Sequence, residues 1–179
     1  MWQKLKKKMD SNKRNKLLEK RKSLKEIVRK KELKARIPYQ IKYLEDNNLA
    51  YSLNYNHEFL LWMQAHFSIR KKDDYYGQHD YQIDIDKLNK NCKTVKYNDS
   101  SELQGIFESI LLKNYPAHKE IVICKNGGDP ELIVSIESLL SNFYLFSSAF
   151  EVWFILKDKS LVIEYISGVE NLKIFKSNL

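Results

Sequence analysis

The first 36 residues carry a density of positive charge that excludes them from a buried core. They hold 16 lysines and arginines and 4 acidic residues, a net charge of +12, whereas the chain of 179 residues is +8 as a whole. Residues 37–179 therefore hold 15 basic and 19 acidic residues and sum to −4. The pI of about 9.3 thus describes a basic arm (residues 1–36) on a mildly acidic body (residues 37–179).

The arm is predicted to form one helix over residues 11–36. No Gly or Pro interrupts this stretch, and Lys, Arg, Leu and Glu are good helix formers. Its apolar stripe is narrow and is broken by Arg21 and Lys31, a pattern too weak for a core helix. The stripe consists of Leu17, Leu24, Val28 and Ala35. A helix of this kind is marginal alone and is stabilised by a partner.

Clustered cations predict that the arm contacts phosphates, because each Lys or Arg that neutralises a phosphate releases condensed counterions. The alternative is a solvated charged helix without a partner. Residues 70–72 form a second basic cluster before Tyr75 and Tyr76, a combination that binds single-stranded nucleic acid by charge and stacking. For the tyrosines, packing at a loop–core boundary is the alternative. The predicted nucleic-acid-binding residues are Lys13, Arg14, Lys16, Lys20, Arg21, Lys22, Lys25, Arg29, Lys30, Lys31, Lys34, Arg36, Arg70, Lys71 and Lys72.

A family resemblance covers residues 12–44. The arm contains the run Asn12-Lys13-Arg14-Asn15-Lys16-Leu17-Leu18-Glu19-Lys20, followed by Lys22-Ser23-Leu24-Lys25-Glu26-Ile27-Val28, and Glu32-Leu33 and residues 36–44 continue in a similar manner. This stretch resembles the N-terminal helix of the small-subunit ribosomal protein S-fourteen family, and the resemblance implies rRNA binding. The family's Arg-rich and Asn-Arg-Cys segment does not follow, since no Lys or Arg occurs between Lys42 and Arg70. An RNA-bound arm on an unrelated body is therefore expected.

The body has the composition of a folded domain. Hydrophobic residues make up 43% of the chain and aromatic residues 12%, enough for a core over 37–179, with 37–98 and 99–179 as candidate subdivisions. Cys92 and Cys124 are isolated, which indicates a reducing compartment. No apolar run approaches the ~20 residues that span a bilayer, and the N-terminus lacks the apolar region of a secretory signal. We expect an intracellular protein, ribosome-associated in the mitochondrion or cytoplasm, without a membrane partner.

The body is predicted to be α+β, with a mixed β-sheet and helices packed mainly on one face. Alternating apolar residues favour a β-hairpin of strands at 37–43 and 51–55, against a competing helix over 38–46. An apolar helix at 58–67, with Asn56 as its cap, and polar turns at 70–80 follow. The other predicted elements are strands at 81–85, 94–97, 121–124, 152–156, 161–166 and 172–175, and helices at 100–111 and 130–143.

Two of these helices have sequence signals for their first residues. Asp99-Ser100-Ser101-Glu102 has the character of a capping box. Gly127-Gly128-Asp129-Pro130 predicts a helix start, with Asp129 as the cap and Pro130 in the first turn. The strand at 121–124, the helix at 130–143 and the strand at 152–156 are then expected to form one right-handed βαβ unit.

The histidines show no catalytic or metal-binding signature. His79-Asp80 is an adjacent His–Asp pair, but a metal phosphohydrolase needs further spaced ligands that the sequence does not supply. His57 and His66 are nine residues apart, not the three or four that place two ligands on one helical face. We interpret the histidines, His118 included, as solvent-exposed or hydrogen-bonded side chains.

Carboxylates and glycines offer two further candidates. Asp84 and Asp86 lie two apart on a predicted strand and share one side, an arrangement that can hold a divalent cation. A nuclease also needs a nearby Glu-x-Lys, and Glu32-Leu33-Lys34 lies on the arm instead. Gly127-Gly128 before a helix could cradle an anion, but no Walker Lys follows, so helix capping is the better account. No enzyme signature remains, and no catalytic residue, metal or cofactor is assigned.

The sequence thus predicts a non-catalytic RNA-binding structural component of a ribonucleoprotein particle, above all a ribosomal or mitoribosomal protein. Its arm is expected to bind RNA, rRNA in particular, and its body to contact neighbouring proteins. The alternative is a protein-binding immunity protein or inhibitor that caps a toxin or nuclease. The body's charge of −4 suits occlusion of a basic nuclease site, but this alternative leaves the arm unexplained.

Overall fold

The computed structural model describes residues 2–67, 69–73, 79–83, 92–125, 129–148, 151–168 and 170–176, and for 2–13, 69–73 and 79–82 it describes the backbone alone. The chain divides into two compact units, Met1–Arg36 and Ile37–Leu179. Among the described residues, no helix combines the length and the apolar character that crossing a membrane requires.

The first unit is helix α1 (Trp2–Lys34), which confirms the predicted basic helix and extends it towards the N-terminus. Residues 2–10 contain neither Gly nor Pro and are rich in Lys, so the favourable local propensity continues there. The helix ends before Pro38, which lacks an N–H and disfavours helical geometry at the preceding residue. Ile37 accordingly has φ −122° and ψ 52°, outside the helical region.

The second unit begins with helix α2 (Pro38–Asp46), so the predicted strand at 37–43 is wrong and the competing helix over 38–46 is confirmed. Pro38 suits the first turn, where its missing N–H costs no hydrogen bond. Gln40, Ile41 and Leu44 are buried at helical spacing, whereas Tyr39 is 76% exposed. The apparent alternation of apolar residues arose because the large Tyr39 lies on the solvent face of a helix.

Nine strands are described in the second unit. They are β1 (Tyr51–Asn54), β2 (Ile69–Asp73), β3 (His79–Ile83), β4 (Cys92–Lys96), β5 (Glu120–Lys125), β6 (Glu131–Ser135), β7 (Glu151–Leu156), β8 (Leu161–Ile166) and β9 (Asn171–Lys176). Seven form one sheet in the order β1-β6-β5-β7-β8-β9-β4, and β2 pairs with β3 in a separate two-stranded sheet. The described pairings are all antiparallel. The α+β class is therefore confirmed, with an antiparallel sheet in place of the predicted mixed one.

The strands predicted at 51–55, 94–97, 121–124, 152–156, 161–166 and 172–175 are confirmed to within one or two residues at either end. The predicted partner of the strand at 51–55 is wrong, because β1 pairs with β6. The predicted turns at 70–80 are wrong for residues 70–73 and 79–80, which belong to β2 and β3, while residues 74–78 lie outside the described part. The strand predicted at 81–85 is confirmed as far as Ile83.

The remaining helices are α3 (Glu58–His66), α4 (Ser100–Leu112), α5 (Ile136–Ser141) and α6 (Phe143–Ser147). The predictions of α3 and α4 are confirmed. Asp99 caps α4, because its Oδ1 accepts a hydrogen bond from the Glu102 N–H at 2.9 Å. The prediction of Asn56 as the cap of α3 is wrong: His57 occupies that position with φ 53°, and no side chain at the cap position bonds to the helix.

The helix predicted from Pro130 is also wrong in its first half. Residues 131–135 form β6, and α5 begins only at Ile136, where Ser135 Oγ accepts a hydrogen bond from the Ser138 N–H at 3.0 Å. Leu132, Ile133 and Val134 are all buried, which is typical of a central strand covered on both faces. The predicted βαβ unit does not exist, because β5 and β7 are antiparallel neighbours.

Two apolar clusters cover the two faces of the sheet. On the first face, α2, α4, α5 and α6 pack on the sheet, and the ring of Phe107 lies 4.5 Å from that of Phe143 and 4.9 Å from that of Phe154, centroid to centroid. On the second face, α3 and Ile83 of β3 pack on Trp153 and Phe175. The prediction that helices lie mainly on one face is therefore confirmed.

Candidate nucleic-acid interface

The predicted interface lies on α1, where all the described side chains from 14 to 25 are exposed to solvent. Consecutive residues on an α-helix point about 100° apart, so cations in consecutive positions surround the axis. Lys20, Arg21 and Lys22 form such a run. The helical stretch 14–34 is about 31 Å long at about 1.5 Å per residue, which matches roughly nine steps of a nucleic-acid strand at about 3.4 Å each.

Ion pairs within α1 neutralise only part of this charge. Glu26 lies 3.5 Å from the Arg29 guanidinium and 3.9 Å from the Lys30 ammonium, and all three side chains are 43–49% exposed. Exposed pairs of this kind contribute at most about 1 kcal/mol and are screened by salt. Lys20, Arg21, Lys22 and Lys25 make no ion pair with any side chain that the structure describes. These four cations are therefore available to an anionic partner.

The apolar stripe of α1 is also exposed. Leu17 is 60% exposed and Leu24 62% exposed, with Val28 at 53% on the same side of the helix. The flanking Leu18 and Ile27 are exposed as well. Apolar side chains that cluster on an exposed surface are typical of an interaction site. The arm thus presents cations around its circumference and a narrow aliphatic seam along one side.

The second predicted basic cluster lies in a different structural setting from the arm. Arg70, Lys71 and Lys72 belong to β2, opposite Gln82, Tyr81 and Asp80 of β3. They were expected in a polar turn, but they lie in a strand. Tyr75 and Tyr76, the predicted stacking partners, lie outside the described residues.

The candidate metal and anion sites gain no support from the described residues. Asp84 and Asp86 lie outside them, as do Gly127 and Gly128, and for His79 only the backbone is described. Glu131–Ser135 is a strand, so the helix N-terminus expected after the two glycines is not formed. No group of three His, Cys, Asp or Glu side chains in the described part of the chain is arranged to hold a metal ion.

Two buried glutamates that the sequence reading did not single out anchor the second face of the sheet. Glu131 Oε1 accepts a hydrogen bond from the Leu60 N–H at 2.7 Å, and its Oε2 accepts one from Asn54 Nδ2 at 2.8 Å. Glu131 thereby supplies, from β6, the cap that α3 lacks in its own sequence. Burial raises the pKa of the Glu131 carboxyl, and the hydrogen bonds it accepts oppose that rise.

Glu164 anchors the β2–β3 pair to the second face of the sheet, as Glu131 anchors α3. Its Oε1 accepts hydrogen bonds from the Ile83 N–H at 2.7 Å and the Trp153 indole N–H at 3.1 Å, and its Oε2 lies 2.6 Å from Lys173 Nζ. The sequence signal that could have identified Glu164 is a single acidic residue inside an apolar strand, since Val162 and Ile163 precede it. A carboxylate at such a position needs partners that only the fold supplies.

The surroundings of both cysteines disfavour the thiolate. Burial raises the pKa of the Cys92 thiol, and burial together with the neighbouring Glu131 raises that of Cys124 well above its usual value. A raised pKa disfavours the thiolate, the form that reacts. The two thiols therefore act as packing groups on the second face of the sheet.

Comparison with protein-family models finds no matching family, and comparison with curated proteins finds no match to this chain. The resemblance of residues 12–44 to the S-fourteen ribosomal family stays a prediction.

Proposed function

We propose that this protein is a non-catalytic RNA-binding component of a ribonucleoprotein particle, of the ribosomal or mitoribosomal kind, and that α1 lies along the RNA backbone. The observation that carries the proposal is the exposure of Lys20, Arg21, Lys22 and Lys25, none of them ion-paired to a described side chain, on a helix of net positive charge. Neutralising phosphates releases counterions, which gives such cations a strong driving force for binding RNA.

The proposal assigns different tasks to the two units. The arm supplies many small electrostatic contacts that do not depend on base sequence, because a Lys or Arg at a phosphate reads no base edge. The body supplies the folded domain that meets neighbouring proteins. An immunity protein or inhibitor remains the second candidate from the sequence, and it predicts no role for the cations of α1.

The test replaces Lys20, Arg21, Lys22 and Lys25 by Gln in the full chain. Gln and Lys have similar helix propensity, so the change removes charge and leaves the helix intact. Each phosphate contact on single-stranded RNA contributes about 0.7 to the slope of log K against log salt. Six to eight contacts in the parent give a slope of roughly −4 to −6, and losing four of them flattens it by up to about 3.

The measurement is fluorescence anisotropy of a labelled 20-nucleotide RNA over a series of salt concentrations. The matched control changes Lys20, Lys22 and Lys25 to Arg, which keeps the charge, and we expect it to retain the parental slope. Equal affinity and slope in the Gln variant and the parent would refute the proposal. Binding to vesicles of anionic phospholipid without binding to RNA would refute it too.

A further inference from the structure

A groove in the unit Ile37–Leu179 has the character of a binding site. It has a volume of about 390 Å³ and lies between α4 and the strands β4 and β9. Its floor is aliphatic and consists of Val95, Ile106, Ile110 and Ile174. The volume falls within the range of roughly 300–1,000 Å³ that is common for ligand sites.

The groove lies where the sheet of described strands ends. β4 is the last strand in the sheet order and pairs on one side only, with β9, among the described strands. On α4, Leu103, Phe107 and Leu111 are buried in the core, whereas Ile106 and Ile110, on the adjoining side of the helix, are half-buried. These two isoleucines therefore face the groove and remain partly uncovered.

Three lysines, Lys93, Lys113 and Lys176, also line the groove, and all three are exposed. Among the described residues that line it there is no Asp or Glu. None of the three lysines makes an ion pair with a side chain that the structure describes. Three like charges around an aliphatic floor repel one another, and a partner that brings carboxylates relieves that repulsion.

The lining also argues against nucleic acid as the occupant. Single-stranded nucleic acid is held by aromatic side chains or by Arg planes on which the bases stack. Neither occurs among the described residues that line the groove, and the floor that they form is aliphatic. A peptide with aliphatic side chains between acidic ones can pack on the aliphatic floor and pair its carboxylates with the lysines. Because β4 pairs on one side only among the described strands, its other edge offers backbone N–H and C=O groups with which an extended peptide can pair.

We infer that this groove binds an acidic segment of a partner protein, with an aliphatic side chain on Ile106, Ile110 and Ile174 and carboxylates at Lys93, Lys113 and Lys176. The inference does not depend on RNA binding by the arm, because every residue that lines the groove belongs to the unit Ile37–Leu179.

The test uses NMR of isoleucine methyl groups in the full chain, because a basic arm can itself attract an acidic peptide. The probe is a 12-residue capped peptide in which Asp and Glu alternate with Ile, Leu and Val. We expect saturable shifts of the Ile106, Ile110 and Ile174 methyls. Contact with the arm alone would instead move the methyl of Ile27, an exposed residue of α1. A cationic peptide with the same aliphatic residues, its acids replaced by Lys, should leave the groove methyls unmoved.

Charge reversal then tests the lysines. The Lys93→Glu, Lys113→Glu, Lys176→Glu triple variant should weaken binding about tenfold or more, because all three rim charges change sign. Lys96→Glu is the matched control, since Lys96 is an exposed lysine of the same strand that does not line the groove, and its affinity should stay within about twofold. Equal affinity of the triple variant and the parent would overturn the inference. It would also be overturned by shifts confined to Ile27, or by a uridine 20-mer or dodecanoate moving the groove methyls at lower concentration than the peptide.

Discussion

The buried pair Glu164–Lys173 provides a stringent stability test of the structure. Glu164 is 1% exposed and binds the Ile83 N–H, the Trp153 indole and the Lys173 ammonium. Lys173 Nζ also donates to the Ile83 carbonyl at 3.3 Å. The pair thus binds both the N–H and the C=O of Ile83 and holds this end of β3 against the sheet. The perturbation is Glu164→Gln, which keeps the size and one acceptor oxygen and removes the charge.

The expected loss follows from what the substitution leaves behind. Lys173 is 16% exposed at its side chain, so its ammonium would remain largely desolvated without a countercharge. Breaking a buried pair by removing one partner costs about 3–5 kcal/mol. The Ile83 carbonyl and partial solvation compensate some of this, so we expect Glu164→Gln to lower the free energy of unfolding by about 2–4 kcal/mol. Lys173→Met should cost a similar amount, and the double variant less than the sum by about 1–3 kcal/mol.

The assay is urea unfolding of the full chain at pH 7, followed by tryptophan fluorescence and far-UV circular dichroism. A matched control separates the effect of burial from the effect of the distance between the charged atoms. Lys157 and Glu120 lie 2.5 Å apart, as close as the buried pair, but their side chains are 50% and 48% exposed. Lys157→Gln should therefore cost only about 0.5 kcal/mol. A Glu164→Gln loss as small as that of Lys157→Gln, or a double variant that equals the sum of its singles, would refute the reasoning.

Two further predictions concern the pH dependence and the domain boundary. Burial raises the pKa of the Glu131 carboxyl above 4.5 in the folded state. The contribution of Glu131 to stability is therefore present below pH 4.5 and is lost as the pH rises through the folded-state pKa. The stability of the parent relative to Glu131→Gln, measured by urea unfolding, should therefore shrink from about pH 4 to about pH 7; a growing difference would contradict this. Residues 37–179 alone should unfold cooperatively in calorimetry, since both apolar clusters lie within them, and a broad, non-cooperative transition would place the arm in the core.

The local sequence was sufficient to predict a helix or strand when the residues that determine it lie within that element. The long basic helix α1 follows from propensity and from the absence of Gly and Pro, both of which are properties of neighbouring residues. The cap of α4 at Asp99 and the strands β7, β8 and β9 were likewise predictable, because polar turns separate short apolar runs. The basic surface of the arm also follows from the sequence, because burying the cations of a stretch with a net charge of +12 is too costly.

Tertiary structure decided the elements whose local signal was ambiguous. Residues 131–140 place apolar residues among polar ones in a pattern that suits a helix or a strand, and the first half became β6 because β1 and β5 pair with it on both sides. The N-terminus of α3 is capped by Glu131, from 71 residues further along the chain. No local pattern can predict a cap that arrives from another strand.

The same distinction separates the two proposed sites. The cations of α1 are neighbours in sequence, so charge counting alone locates them. Lys93, Lys113 and Lys176 lie on β4, next to α4 and on β9, and they converge only because β4 pairs with β9 and α4 packs beside them. An interaction site built from separate elements becomes visible only after long-range strand pairing has brought them together, because sequence periodicity reports on one element at a time.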